Sequence, residues 1–147
     1  MEQFAAGIIP YHVSPQGVSF LLGLEKSNNK WSGFVGGSEP YESIIQTAVR
    51  EFNEETSLIF KDNLEYFYNQ CLRTQVIQEY TPSGKRVYLW FIELPYPVDL
   101  EQFSINQSLI EDPHFKEKSK LRWVSIQEIR TSKSILNRLK KTILINF

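Results

Sequence analysis

The sequence predicts an α/β protein with helices packed on both sides of a mixed sheet. Three observations carry that expectation. Apolar, strand-like runs flank a central segment, residues 36–60. Within that segment the apolar residues recur at helical spacing, and a second helical pattern closes the chain. At 147 residues the chain is expected to form one domain, residues 1–147, burying roughly two-thirds of the surface its unfolded form exposes. Its 41% hydrophobic and 22% charged residues argue against a disordered chain.

Taken in order, AAGIIPYHV reads as a strand, SPQG as a turn and VSFLLGLEK as a second strand able to pair with the first. SNNKWSGFVGG reads as a loop whose small and polar residues permit unusual backbone conformations. A helix follows, with Ser38 or Ser43 as its cap and Pro40 near its start. Ile45, Ala48, Val49 and Phe52 recur at i, i+3, i+4 and i+7, the pattern of a face laid on a core. LEYFYNQCLRTQVIQEY and KRVYLWFIELPY read as two strands joined through TPSG. Residues 96–119 form a polar, acidic connection without a clear period. LRWVS is a last short strand, and IQEIR with SILNRLKKTILINF completes the chain as helix.

The totals narrow the function. Cys71 is the only cysteine, so neither an internal disulfide nor a cysteine zinc cluster can form. No run approaches the ~20 apolar residues of a membrane span. The N-terminus carries an early acid, Glu2, and too short an apolar run for a signal peptide. A cytoplasmic protein is expected. A net charge of −1 gives no bulk attraction to nucleic acid or to a membrane surface.

Chemistry concentrates on the central helix. Glu51, Glu54 and Glu55 crowd about one and a half turns, where like charges cost a few tenths of a kcal/mol per pair. At about 100° per residue they fall in an arc beside the apolar face, at the rim of the core. A run such as NEE is commonly a solvated helix face. Here, however, the acids stand at the C-terminal end, where the helix dipole disfavours them. Gly36 and Gly37 precede the helix, so backbone groups there can approach a phosphate closely. Converging carboxylates are costly without a cation, and hard oxygen ligands suit Mg²⁺ or Mn²⁺.

These residues resemble the signature of the Nudix hydrolases, G-x5-E-x7-R-E-U-x-E-E-x-G-U. Counted from Gly36, it meets Glu42, Arg50, Glu51, Phe52, Glu54, Glu55, Ser57 and Leu58 at its spacing. AAGIIPY, FLLGLEK, Trp31 and LRWVSIQEI extend the likeness over about residues 5–130. The resemblance implies an α/β/α sandwich around a mixed sheet, with the box forming a loop–helix–loop. It implies Mg²⁺- or Mn²⁺-dependent hydrolysis of a diphosphate linkage in a nucleoside diphosphate derivative. A nucleotide is then the partner, and a homodimer is compatible with the habits of relatives. The rival expectation is a Nudix-fold module that holds a nucleotide without cleaving it; loss of an acid would have favoured it, and all three acids are present.

By the same resemblance Glu51, Glu54 and Glu55 bind metal, one of them able to act as base through a bound water. Arg50 holds them in place and Glu42 orients Arg50 or the loop. A further acid is expected from the loop before the last strand, Glu117 or its rival Glu111. Two departures stand out. Ser57 replaces the box glycine, so it either accepts roughly 1 kcal/mol of left-handed strain or ends the helix differently. GGSEPYES is one residue shorter than the common form and has Tyr41 where glycine is usual, which leaves open whether Gly36 or Gly37 turns its carbonyl to the metal. No motif points to a particular nucleotide.

Overall fold

The computed structural model describes residues 3–147; Glu2 lies outside them. Phe4–Ser14 (β1) and Gly17–Glu25 (β2) form the expected antiparallel hairpin. The loop predicted at 27–37 instead contributes two short strands, Trp31–Ser32 (β3) and Phe34–Gly37 (β4). β4 pairs antiparallel with β1, so the glycine pair is held in a ladder: Gly36 faces Ala6 and Gly37 faces Ala5.

Ile44–Glu55 is helix α1. Of the two candidate caps, Ser43 is the one used. Its side chain accepts from the Gln46 N–H and the Gln46 side chain accepts from the Ser43 N–H, a reciprocal capping box. Pro40 precedes the helix, in the turn that leads to it.

The long strand expected from LEYFYNQCLRTQVIQEY is overturned. Leu64–Arg73 is a helix, α2, and only Ile77–Tyr80 (β5) is strand. Phe67 and Cys71, four residues apart, are both buried against α1, and that 3.6-residue period outweighs the strand preference of tyrosine and phenylalanine. β5 turns through TPSG into Arg86–Glu93 (β6), with Gly84 at φ +88° inside the turn. The connection at 96–119 also holds a helix, Glu101–Leu109 (α3), and a 3₁₀ turn, Pro113–Phe115. α3 buries only Phe103, which explains why no period announces it. Lys118–Ser125 (β7), Ile126–Thr131 (α4) and Asn137–Asn146 (α5) complete the chain.

The sheet runs β3-β2-β1-β6-β5, with β4 added on β1 and β7 on β2. β1 and β6 pair parallel and the other pairs antiparallel, so the sheet is mixed. One face carries α1 and α2 over a nest of rings in which Phe52 lies 5.6 Å from Phe34, 4.9 Å from Phe60 and 4.6 Å from Phe67. Each such ring, fully buried, contributes about 1.5–3 kcal/mol. The other face packs Ile9, Phe20 and Leu22 against Ile129 of α4 and Leu139 and Ile143 of α5. This is the helix–sheet–helix sandwich expected from the sequence. No helix among the described residues is long and apolar enough to cross a membrane.

Candidate active site

Arg50 organises the end of α1. Its Nε donates to Glu42 Oε2 at 2.6 Å and its Nη2 to Glu42 Oε1 at 3.0 Å, a two-point grip. Nη1 donates to Glu51 Oε1 at 3.0 Å and to Glu54 Oε2 at 2.7 Å, and Nη2 also reaches the Gly37 carbonyl at 2.8 Å. One guanidinium thus ties the glycine strand, the loop and two helix acids into a unit.

Glu42 is wrapped on every side, accepting also from Thr47 Oγ1 at 2.7 Å and from the Glu39 N–H at 3.0 Å. The hydrogen bonds from Arg50 above all hold its carboxyl down at about 2. Both orientations foreseen for Glu42, toward Arg50 and toward the loop, are met by its two oxygens.

The three acids lie at the rim of the core. Glu51 and Glu54 side chains are 15% and 17% exposed, and Glu55 only 4%. The Glu51 carboxyl fills the space above Gly36: an added Cβ there would stand 2.1 Å from its carboxyl carbon. Burial lifts the Glu51 pKa, partly offset by Arg50. Burial lifts Glu55 well above the ordinary carboxylate range; nearby Glu51 and Glu117 push it further and Lys118 opposes them. Glu55 Oε2 is buried and has no hydrogen-bond partner.

Glu117 joins this group. With Glu55, Glu25, Lys26 and Lys118 it lines an open cleft of about 410 Å³. Glu111 is exposed beyond the end of α3 and does not line the cleft. An adjoining cleft of about 280 Å³ shares Glu25 and Val35 and runs past Gly36 and Gly37 to α5, with Lys85 and Arg138 on its walls.

Both departures from the signature have a structural meaning. Tyr41 and Ser57 adopt φ +67° and +51°, so each non-glycine residue takes the left-handed conformation that glycine would ease. Leu58 follows at φ +65°. Ser57 therefore accepts the strain, and its side chain is put to use. Its Oγ donates to the Phe115 carbonyl at 2.6 Å, and its own carbonyl accepts from Asn106 Nδ2 at 2.7 Å. Gln107 Nε2 bridges Ser57 Oγ and the Lys118 carbonyl, at 3.3 and 2.6 Å. The helix exit is bolted to the segment that carries Glu117.

Sequence reasoning missed Lys118. Its side chain is 2% exposed, with Nζ 3.6 Å from Glu55 Oε1 and 3.7 Å from Glu25 Oε1, and it donates to Ser32 Oγ. Glu117 next to it was the one local signal. His12 and His114 stay apart from the site: His12 Nδ1 pairs with the Leu94 carbonyl and His114 lies exposed in the 3₁₀ turn.

A loop–helix–loop that gathers the carboxylates of Glu39, Glu42, Glu51 and Glu54 around Arg50 on an α/β/α sandwich defines the class. The chain belongs to the NUDIX domain family, whose model matches residues 1–144. That makes it a Nudix-type hydrolase. Similar solved structures include a C. elegans Ap4A hydrolase in a binary complex, 19% identical, with a TM-score of 0.61 over 97% of this chain and 99% of that one. The NUDIX domain of Shewanella oneidensis NrtR complexed with ADP ribose is 13% identical, with a TM-score of 0.59 over 99% and 90%. A Francisella tularensis bifunctional NMN adenylyltransferase/ADP ribose pyrophosphatase with AMP and Mn ion is 16% identical, with a TM-score of 0.62 over 99% and 41%. No curated protein matches the sequence.

Proposed function

We propose that the protein is a pyrophosphohydrolase that uses Mg²⁺ or Mn²⁺ to cleave a diphosphate linkage in a nucleoside diphosphate derivative. The observation that carries this reading is Glu55 Oε2, buried without a hydrogen-bond partner on a carboxyl that has Glu51 and Glu117 near it as well as Lys118. An orphaned carboxylate oxygen of this kind is costly unless a cation completes it. Among the described residues no three His, Cys, Asp or Glu side chains form a ready-made metal cage. An ion held by these acids would need water and substrate phosphate to complete its shell, as Mg²⁺ commonly does.

Glu51, Glu54 and Glu55 would hold the ion. With the Gly37 carbonyl engaged by Arg50, Gly36 is the better candidate to add a backbone oxygen. Bound there, a divalent ion neutralises phosphate charge and lowers the pKa of the attacking water. The chain does the rest. Arg50 keeps Glu51 and Glu54 oriented, Glu42 fixes Arg50, and Glu117 adds a carboxylate at the cleft to take a proton from water. The adjoining cleft, with Lys85 and Arg138 on its walls, offers the nucleotide a place beside the glycine strand.

The test is phosphate-linked product release from a nucleotide panel headed by dinucleoside tetraphosphate and ADP-ribose, in excess Mg²⁺ or Mn²⁺. Cleavage of a panel member, lost with EDTA and with Glu54→Gln, is expected. Nucleotide binding without any cleavage would instead establish a binding module.

A further inference from the structure

Lys118 owes its place to an irregularity in the sheet. Along the β2–β7 ladder Leu24 faces Lys120, yet Glu25 faces Lys118, so Ser119 is an extra residue on β7. Such a bulge moves the side chain beyond it to the other face of the sheet. Lys118 is thereby carried under α1, on the side of Leu121 and Trp123, and not toward α5.

A slot has been cut for it. A Cβ on Gly23 would stand 2.8 Å from Lys118 Cδ and 2.9 Å from Cγ, so only glycine leaves room for the stem. At the tip, Nζ is met by Ser32 Oγ, Glu55 Oε1 and Glu25 Oε1, and lies 5.8 Å from the Phe34 ring centre. Lysines are almost never fully buried unless paired. This one has oxygen partners on several sides, the kind of surroundings a metal ion would accept.

Glu55 is divided between two roles as a result. Oε1 faces the ammonium and Oε2 is left open. We infer that Lys118 is a resident cation of the acid site, standing where a second divalent ion would otherwise bind, so that the free protein holds one divalent ion and not two. The inference rests on the metal-dependent reading of the site. Lys118 is a positioning residue: it turns one oxygen of Glu55 inward and presents the other.

The test counts Mn²⁺ on the metal-free full chain, without nucleotide, from the loss of the free-ion electron paramagnetic resonance signal. Wild type is expected to bind one ion per chain. Lys118→Met removes a positive charge 3.6 Å from a carboxylate and is expected to bind two, the first at least tenfold tighter. A merely structural lysine would lower the melting temperature without raising the count or the affinity. Lys118→Gln, which keeps a polar head near Ser32, gives the same reading where the methionine form does not fold. A folded variant with wild-type count and affinity overturns the inference. So does a wild type that binds two ions, a result independent of any variant. If neither protein binds Mn²⁺, the metal-dependent function falls too; a wild type that binds one ion and cleaves nucleotide, beside an unchanged variant, sinks this inference alone.

Discussion

The carboxyl carbon of Glu51 lies 2.1 Å from the point where Gly36 would carry a side chain. The strand and the helix acid are thus fitted to each other through the absence of one methyl group. Gly36→Ala must push Glu51 aside. Overpacking of this kind costs about 1–3 kcal/mol, and a displacement near 1 Å costs on the order of 10²-fold in rate. Steady-state hydrolysis of whichever panel nucleotide is cleaved is expected to fall by that order while the far-ultraviolet spectrum is kept. Unchanged kcat/KM would show that Glu51 has no need of its position.

Glu42 gives the protein an acid-sensitive lock. Its folded pKa, about 2, lies below the ordinary 4.5. A depressed carboxylate contributes stability that is fully present above about 4.5 and is lost as pH falls through about 2. Urea unfolding of Glu42→Gln is expected to show about 1.5–3 kcal/mol less stability at pH 7, the scale of a hydrogen bond to a charged group. Between pH 4.5 and 2 the gap to wild type should narrow. A gap that widens on acidification would contradict the Arg50–Glu42 assignment.

Ser57 separates strain from tethering. Ser57→Gly relieves the left-handed backbone, worth roughly 1 kcal/mol, but deletes the hydroxyl bound to Phe115. Thermal stability should change little because the two effects oppose. Hydrogen exchange across residues 113–118 should quicken. Ser57→Ala keeps the strain and loses the bond, so its melting temperature should fall below that of both others. Equal exchange in all three would mean the hydroxyl tethers nothing.

Cys71 should be inert. Burial alone raises its thiol to about 12, and it packs beside Phe67 under α1. Native protein at pH 8 is expected to resist a disulfide exchange reagent, with full reaction only in denaturant. Rapid labelling of the native form would show that α2 opens readily.

The acid site was legible because a helix turns spacing into a face. Glu51, Glu54 and Glu55 needed only the 3.6-residue period to be placed together, and the resemblance to the signature joined Glu42 and Arg50 to them. α2 was illegible for a local reason: Tyr66, Phe67 and Tyr68 suit a strand as well as a helix, and only the burial of Phe67 with Cys71 decides. The obstacle with Lys118 is of another kind. A lysine ahead of an apolar strand reads as a solvated edge. Its burial depends on Gly23, Ser32, Glu55 and an extra Ser119, residues spread along the chain that no window joins.

Side-chain parity along a strand is a count of odd and even, and Ser119 is the unit that changes it. Were the ladder to run on with Ser119 opposite Glu25, Lys118 would be dealt to the opposite side of the sheet, though every letter stays in place. A slip of one residue in strand pairing, far from any glutamate of the helix, would then alter the charge of the acid site without touching a single acid. The register of β7 thus belongs among the features by which this fold can retune its cation requirement, alongside substitutions in the signature itself.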